Sequence, residues 1–328
     1  MPVPIKAGTV LHTRYQIKEV IGQGGMGCIY LADDLRLEGR QCAVKEVEYD
    51  RALPEEMLNE AREQFQREAT VLARLDHPNL PKVSDFFSIS DRDYLVMDFV
   101  PGKDLRQLMI EARQKQTFLP EEDVLEWASQ MADALRYLHN QETPILHRDI
   151  KPSNLKLTPN GLVKLVDFGL VKILAPGEVT ITILQGQGTA LYTPLEQYGG
   201  DSKHTDARSD IYALGGTLYH LLTNEPPLNV RDRFLNPGTL PRVREINPDI
   251  SVRTERAIHW ALQLHPEDRP KDIDAFVNAL FLEDAPITKT FRGDRIQPKL
   301  IRKTEKVLLY LAGGLMVISF LLTLIRNF

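Results

Sequence analysis

One stretch limits the fold of this chain more than any other: Ile145 to Gly169, ILHRDIKPSNLKLTPNGLVKLVDFG. Its Asn160-Gly161 pair is the strongest short hairpin signal in sequence, because both turn residues tolerate positive φ, and it separates two apolar runs, NLKL and LVKLV. With a two-residue loop, Asn154 lies directly opposite Asp167. Pro159 leaves a four-residue loop as an alternative that shifts the pairing by two. Side chains alternate with a period of two, so either register predicts Asn154 and Asp167 on one face of the hairpin. A carboxylate and an amide oxygen brought together in this way are hard ligands, of the kind Mg²⁺ takes when phosphate oxygens and water complete its shell. Asp149 lies five residues before Asn154, in a segment that Pro152 keeps from being helical. A second carboxylate beside a metal–phosphate site suggests a base for phosphoryl transfer.

The segment HRDIKPSN followed by DFG resembles the catalytic loop and metal-binding triplet of the protein kinases. By position the resemblance implies Asp149 as catalytic base, Asn154 and Asp167 on Mg²⁺, and Lys151 near the γ-phosphate of ATP. Lys151, two residues after the Asp, is similar to the serine/threonine branch.

Residues 15 to 47 read as three strands, YQIKEVI, GCIYLA and RQCAVKEV, rich in β-branched and aromatic residues. The glycines between the first two, Gly22, Gly24, Gly25 and Gly27, open a strand and not a helix. A dinucleotide-binding turn would open a helix, and no Walker-type lysine motif is present. Glycines in a strand–loop–strand hairpin can instead lay backbone N–H groups over phosphates, as the kinase flap does. Ala43, Lys45 and Val47 share one strand face, which puts an ammonium in an apolar row. On the helix expected from Glu55 to Leu75, the inward stripe Ala61, Phe65, Glu68, Leu72 and Leu75 contains one acid. Two opposite charges, each in an apolar position, predict a Lys45–Glu68 ion pair, which is also the kinase pair that holds the phosphates.

The strand Tyr94 to Val100 runs into Pro101-Gly102. By resemblance, Ile29 and Ala43 line the nucleotide pocket, Met97 guards its back, Asp98 to Val100 present backbone to adenine, and Asp104 meets the ribose. Lys156 departs from the family, standing where relatives carry an apolar residue under the base. Residues 101 to 282 read as mainly helical, with helical apolar spacing over Leu105–Arg113, Glu121–His139 and Asp210–Leu222. The implied class is α+β: a bilobal kinase fold, with residues 1–100 as a small β-rich lobe and 101–282 as a helical lobe.

The resemblance places the activation segment between Asp167 and Glu196, with Thr180 and Thr182 as candidates for phosphorylation and pairing with Arg148, and Thr189 as a brace for Asp149 and Lys151. Its Pro194-Leu195-Glu196 shifts the family's proline by one residue. Glu196 is expected to pair with Arg269, and Asp210 to brace the catalytic loop.

A net charge of −5 gives no reason to expect nucleic-acid binding. Two cysteines, Cys28 and Cys42, argue against a disulfide scaffold and fit reduced core residues. Beyond a linker at 283–306, basic from Asp284 to Lys306 with seven Lys or Arg against three Asp or Glu, Val307 to Ile325 holds 19 residues without a charge. At 1.5 Å per residue they cover about 28 Å, enough for one membrane-spanning helix. The basic linker predicts anionic lipid on that side and a cytoplasmic kinase domain at the inner face of the plasma membrane. The expected activity is ATP- and Mg²⁺-dependent phosphorylation of protein Ser and Thr hydroxyls, with autophosphorylation of the activation segment and, as a further partner, a second copy of the chain. The alternative is a pseudokinase scaffold, which Pro194-Leu195-Glu196 and Lys156 favour.

Overall fold

The computed structural model describes residues 3–24, 27–49, 54–167, 172–173, 190–198 and 205–282. Gly25, Thr180, Thr182, Thr189, the basic linker and the apolar run from Val307 to Ile325 lie outside the described residues.

The first lobe is an antiparallel sheet of β1 (Val10–Leu11), β2 (Tyr15–Gly24), β3 (Gly27–Asp34), β4 (Gln41–Glu48), β5 (Val83–Ile89) and β6 (Arg92–Asp98), in the order β1-β2-β3-β4-β6-β5. Alternation gives the sheet two apolar faces. One face carries Tyr15, Tyr30, Phe87 and Tyr94, covered in part by Ile5 from the N-terminal segment. The other packs Ala43, Leu95 and Met97 against Ala69 and Leu72 of α1 (Glu55–Leu72) and against Leu75. Helix α1 stops three residues before the expected end. There the bonds tighten to Arg74 N to Val71 O and Leu75 N to Leu72 O, and the Asp76-His77-Pro78 turn follows.

The second lobe is built on α2 (Leu105–Gln114), α3 (Glu121–His139), α4 (Ala207–Thr223), α5 (Val230–Leu235), α6 (Val243–Ile246), α7 (Val252–Ala261) and α8 (Ile273–Phe281). Val124, Trp127, Ala128, Met131, Leu135 and Leu138 form the buried stripe of α3, at the three-and-four spacing that fixed its limits in the sequence. Helix α4 is buried along nearly its whole length. A side chain at Gly215 would stand 2.7 Å from Ala261 Cβ, so the absence of a side chain there is what lets α4 and α7 meet. Small strands β7 (Lys103–Asp104), β9 (Leu155–Leu157) and β10 (Val163–Leu165) pair in the order β10-β9-β7 at the junction of the lobes, and β8 (Ile145–Leu146) pairs with β11 (Lys172–Ile173) beside them.

The β9–β10 register differs from both expected alternatives. Leu157 pairs with Val163, Lys156 with Lys164 and Leu155 with Leu165, which leaves Pro159, Asn160 and Gly161 as a three-residue loop. Gly161 alone takes positive φ, at 81°, while the Thr158 hydroxyl donates to Asn160 Oδ1 at 2.5 Å. Pro159 presets the first turn residue, so the glycine closes a bulged turn of the three-residue kind. Asn154 therefore lies opposite Val166, whose N–H donates to the Asn154 carbonyl at 2.8 Å, and strand parity does not bring Asn154 and Asp167 together.

Candidate active site

The catalytic loop leaves β8 through His147 and Arg148. Its backbone is held from below by Asp210 of α4, which accepts from His147 N at 2.9 Å, Arg148 N at 2.8 Å and His139 Nε2 at 2.9 Å. Burial works to raise the Asp210 pKa, but the hydrogen bond from His139 and the backbone donor outweigh it, and the group is held below the usual carboxylate range. Asp210 thus braces the loop as expected, while the helix cap itself is Asp206, which accepts from Arg208 N. Burial also holds His147 below the usual imidazole range, which keeps it neutral between Asp210, Asp149 and Asp167. Arg148 takes φ of 66°, a left-handed conformation costly for a side chain of its size.

Asp149 is 7 % exposed. Its Oδ2 accepts from Lys151 Nζ at 2.9 Å and from Asn154 Nδ2 at 2.9 Å. Its Oδ1 is buried without a hydrogen-bond partner among the described residues. A carboxyl oxygen buried in this way calls for a partner, and a substrate hydroxyl is one. Asn154 sits at the end of a 3₁₀ turn, Pro152–Asn154, and spends its amide hydrogens on the Asp149 carbonyl at 2.8 Å and on its carboxylate. Only the amide oxygen remains for a ligand.

Asp167 is re-aimed by its own backbone: φ is 70°, so strand alternation ends there. Burial works to raise its pKa, and Lys45, then Lys151, outweigh burial and keep it ionised. Lys151 therefore acts on both Asp149 and Asp167, which places the two carboxylates around one ammonium. One ionised carboxylate and one carboxamide oxygen are a hard donor pair that fits Mg²⁺ completed by phosphate oxygens and water. Among the described residues no group of three or more His, Cys, Asp or Glu could hold a metal by itself.

Lys45 has a different partner from the one expected. Its Nζ is ion-paired with Asp167 Oδ1, and no Lys45–Glu68 ion pair forms among the described residues. Glu68 instead accepts from Gln64 Nε2 at 2.9 Å along α1, and its charge bears on Arg148. The inward stripe does carry Glu68 toward the cleft, but toward the catalytic-loop arginine.

The flap is the β2–β3 hairpin, in which Gly22 pairs with Ile29 and Gly24 with Gly27. Gly27 has φ of 138°, and a Cβ there would stand 2.1 Å from the Glu46 carbonyl oxygen, so no other residue lets the flap lie this close to β4. Below it, Ala43 pairs with Met97 across β4 and β6, both buried, and Val100 is buried at the exit of the strand. The Asp98 carboxylate accepts from Lys82 N at 3.3 Å, and its backbone N–H already donates to the Lys82 carbonyl at 3.0 Å. Asp104 is the cap of α2: it accepts from Gln107 N at 2.8 Å while Gln107 Oε1 accepts from Asp104 N at 3.1 Å. One of its oxygens is thus committed to the helix. Lys156 pairs across β9 and β7 with Asp104, and its ammonium lies 5.6 Å from the Phe99 ring centroid.

Glu196 and Arg269 form the expected tie. The pair is bidentate, at 2.6 and 3.0 Å, with the two side chains 6 % and 0 % exposed. Ser209 donates to Glu196 at 2.7 Å, and Arg269 also reaches the Gln263 and Leu264 carbonyls. Shifting the proline has therefore not broken the link. Two supporting contacts were not read from the sequence: Thr217 Oγ1 to the Ile150 carbonyl at 3.4 Å, and Tyr192 OH to His220 Nδ1 at 2.5 Å. Each joins α4 to a loop far away in the chain, and neither has a local sequence signal.

In comparison with known proteins, the protein kinase domain model matches residues 15–282. Serine/threonine-protein kinase PknB of Mycobacterium leprae is 33% identical over 270 residues, 79% of this chain and 41% of that protein. Serine/threonine-protein kinase PrkC of Bacillus subtilis is 31% identical over 298 residues, 89% of this chain and 43% of that protein. The chain thus spans about two fifths of the length of the curated relatives it matches. Among solved structures, a point mutant of the PknI kinase domain of Mycobacterium tuberculosis superposes with a TM-score of 0.64 at 29% identity, over 85% of this chain and 98% of that one.

Proposed function

This chain belongs to the protein kinase domain family, and from that premise we propose that it is a serine/threonine protein kinase that moves the γ-phosphate of ATP to protein hydroxyls. The observation that carries this reading is the Asp149 carboxylate, with one oxygen held by Lys151 and Asn154 and the other buried and unpartnered among the described residues. Asp149 takes the proton of the incoming hydroxyl at Oδ1, while Lys151 holds the other end of the carboxylate and offers its charge to the phosphoryl oxygens. Asn154 and Asp167 would hold Mg²⁺, and Lys45 would hold the nucleotide phosphates under the flap of Gly22, Gly24 and Gly27. Bound Mg²⁺–ATP supplies the phosphoryl group and neutralises the charge that develops as it moves.

Lys151 and the serine/threonine kinases among the relatives support Ser and Thr as acceptors. Thr180 or Thr182, phosphorylated by the chain itself, would pair with Arg148, whose buried charge already attracts Glu68. The apolar run 307–325 and the basic linker before it support a single membrane anchor with the kinase on the cytoplasmic side; no helix among the described residues is long and apolar enough to cross a membrane. A scaffold without catalysis draws support from the Lys45–Asp167 pairing, which occupies two groups that catalysis needs.

The two readings separate in one assay: transfer of label from γ-labelled ATP to a generic protein substrate, with Mg²⁺, by the chain and by Asp149→Asn. The kinase reading expects phosphoserine and phosphothreonine from the first and a rate about 10² to 10⁴ times lower from the second. Nucleotide binding without transfer by either would establish the scaffold.

A further inference from the structure

Resting on the kinase reading, we propose that the face of the helical lobe around residues 190–198 selects protein segments carrying an acidic side chain close to the Ser or Thr that is phosphorylated, with Arg106 and Arg231 as the residues that read it.

The position of this face follows from α4. That helix holds the catalytic loop through Asp210 and through Thr217, whose hydroxyl reaches the Ile150 carbonyl at 3.4 Å. It also holds the 190–198 segment: a Cβ at Gly216 would lie 3.5 Å from the Tyr192 ring, and the Tyr192 hydroxyl meets His220 Nδ1 at 2.5 Å. One helix thus carries both the loop that holds Asp149 and the 190–198 segment.

Two arginines flank that surface from different helices. Arg231, exposed on α5, places its guanidinium 4.2 Å from the Tyr198 ring centroid, and the Tyr198 hydroxyl donates to the Ala190 carbonyl at 3.0 Å. Arg106, exposed on α2, follows the fully buried Leu105, and α2 packs on the Pro152–Asn154 turn of the catalytic loop. Neither guanidinium pairs with a carboxylate among the described residues, whereas Arg136, Arg208 and Arg269 are each committed to one. The fields agree with the geometry. Burial raises the Tyr192 and Tyr198 hydroxyls, and among the described residues Arg106 opposes it at Tyr192 and Arg231 at Tyr198.

A planar guanidinium with free donors matches a carboxylate bidentately, and an arginine already stacked on a ring loses less freedom when it does so. Charge complementarity therefore favours Glu or Asp in the docked segment and disfavours Lys or Arg. The chain's own candidate sites fit this pattern, since Glu178 stands two residues before Thr180.

The test uses the full chain and a peptide series around one Thr, with Glu, Gln or Lys placed in turn at each of the four positions on either side, scored by kcat/KM. The wild type is expected to favour Glu over Gln by about three- to tenfold at one or more positions. Arg106→Gln and Arg231→Gln should each shrink that ratio, and Arg231→Glu should shift preference toward Lys at the position Arg231 reads, with KM for ATP giving the control for an intact nucleotide site. Equal kcat/KM across the series, or a Glu preference that survives every substitution, overturns the proposal and leaves the kinase reading standing. Folded protein that binds ATP and phosphorylates no peptide in the series overturns the kinase reading and this proposal with it.

Discussion

Lys45 of β4 and Asp167, just beyond β10, are ion-paired across the cleft between the lobes, with Lys45 9 % exposed. On the proposed reading the lysine for the phosphates and the carboxylate for the metal neutralise each other here, and binding Mg²⁺–ATP would separate them. Asp167→Asn removes both the pair and the charged ligand. The half-saturating Mg²⁺ concentration should rise about tenfold or more and transfer should fall by at least about 10². A Mg²⁺ titration of the steady-state rate reads both; an unchanged titration would show that Asp167 does not meet the metal.

Arg269→Ala leaves Glu196 buried with Ser209 as its remaining side-chain donor among the described residues. Breaking one side of a buried ion pair costs about 3 to 5 kcal/mol, and urea unfolding should show a loss of that size. Glu196→Gln keeps the shape and should cost less, though it strands the Arg269 charge. Equal stability of both variants with the wild type would show that the tie does not hold the 190–198 segment to the helical lobe.

The lobe also carries a pH response. Burial, with Arg106 and Arg113 adding to it, lowers His220 to about 4, and burial with Arg233 and Arg242 lowers His259 to about 4. The unfolded chain holds these imidazoles near 6.5, so between pH 6.5 and 4 it binds protons that the folded state refuses. Stability is therefore full above pH 6.5 and is lost as the pH falls toward 4, by about 3 kcal/mol for each histidine. Thermal unfolding from pH 7.5 to 4.5 should show Tm falling in this window. His220→Gln with His259→Gln should flatten the decline.

Gly27 meets two demands at once, a φ of 138° and a Cβ position 2.1 Å from the Glu46 carbonyl. Gly27→Ala must push the flap away from β4. KM for ATP should rise about tenfold with a smaller change in kcat, because on the proposed reading the flap positions the phosphates. Gly24→Ala, where a Cβ would meet nothing within 4 Å, should change KM much less.

How much of this could be read beforehand depended on how local the signal was. The limits of α3 match the expected Glu121–His139, because a long amphipathic stripe fixes its own ends. Strands β2, β3 and β4 stand where their β-branched and aromatic residues put them, and the Glu196–Arg269 tie and the Asp210 brace where the resemblance put them. The β9–β10 register did not, because Pro159 and the Thr158–Asn160 hydrogen bond select a three-residue loop that Asn160-Gly161 alone does not announce. Asp167 still reaches the site, through a left-handed backbone that alternation cannot express. The partner of Lys45 was misread because Glu68 and Asp167 both lie within its reach in principle, and the choice depends on how α1 is seated on the sheet. The contacts of α4 with Ile150 and Tyr192 join residues too far apart in the chain for any pattern to reveal them.

The most direct measurement is a crystal structure of the chain with Mg²⁺ and a non-hydrolysable ATP analogue. The account predicts one ion held by Asp167 and the Asn154 amide oxygen, Lys45 moved from Asp167 to the phosphates, and Asp149 Oδ1 open toward the end of the triphosphate. A nucleotide bound with Lys45 still on Asp167, or an ion that touches neither Asn154 nor Asp167, would contradict it.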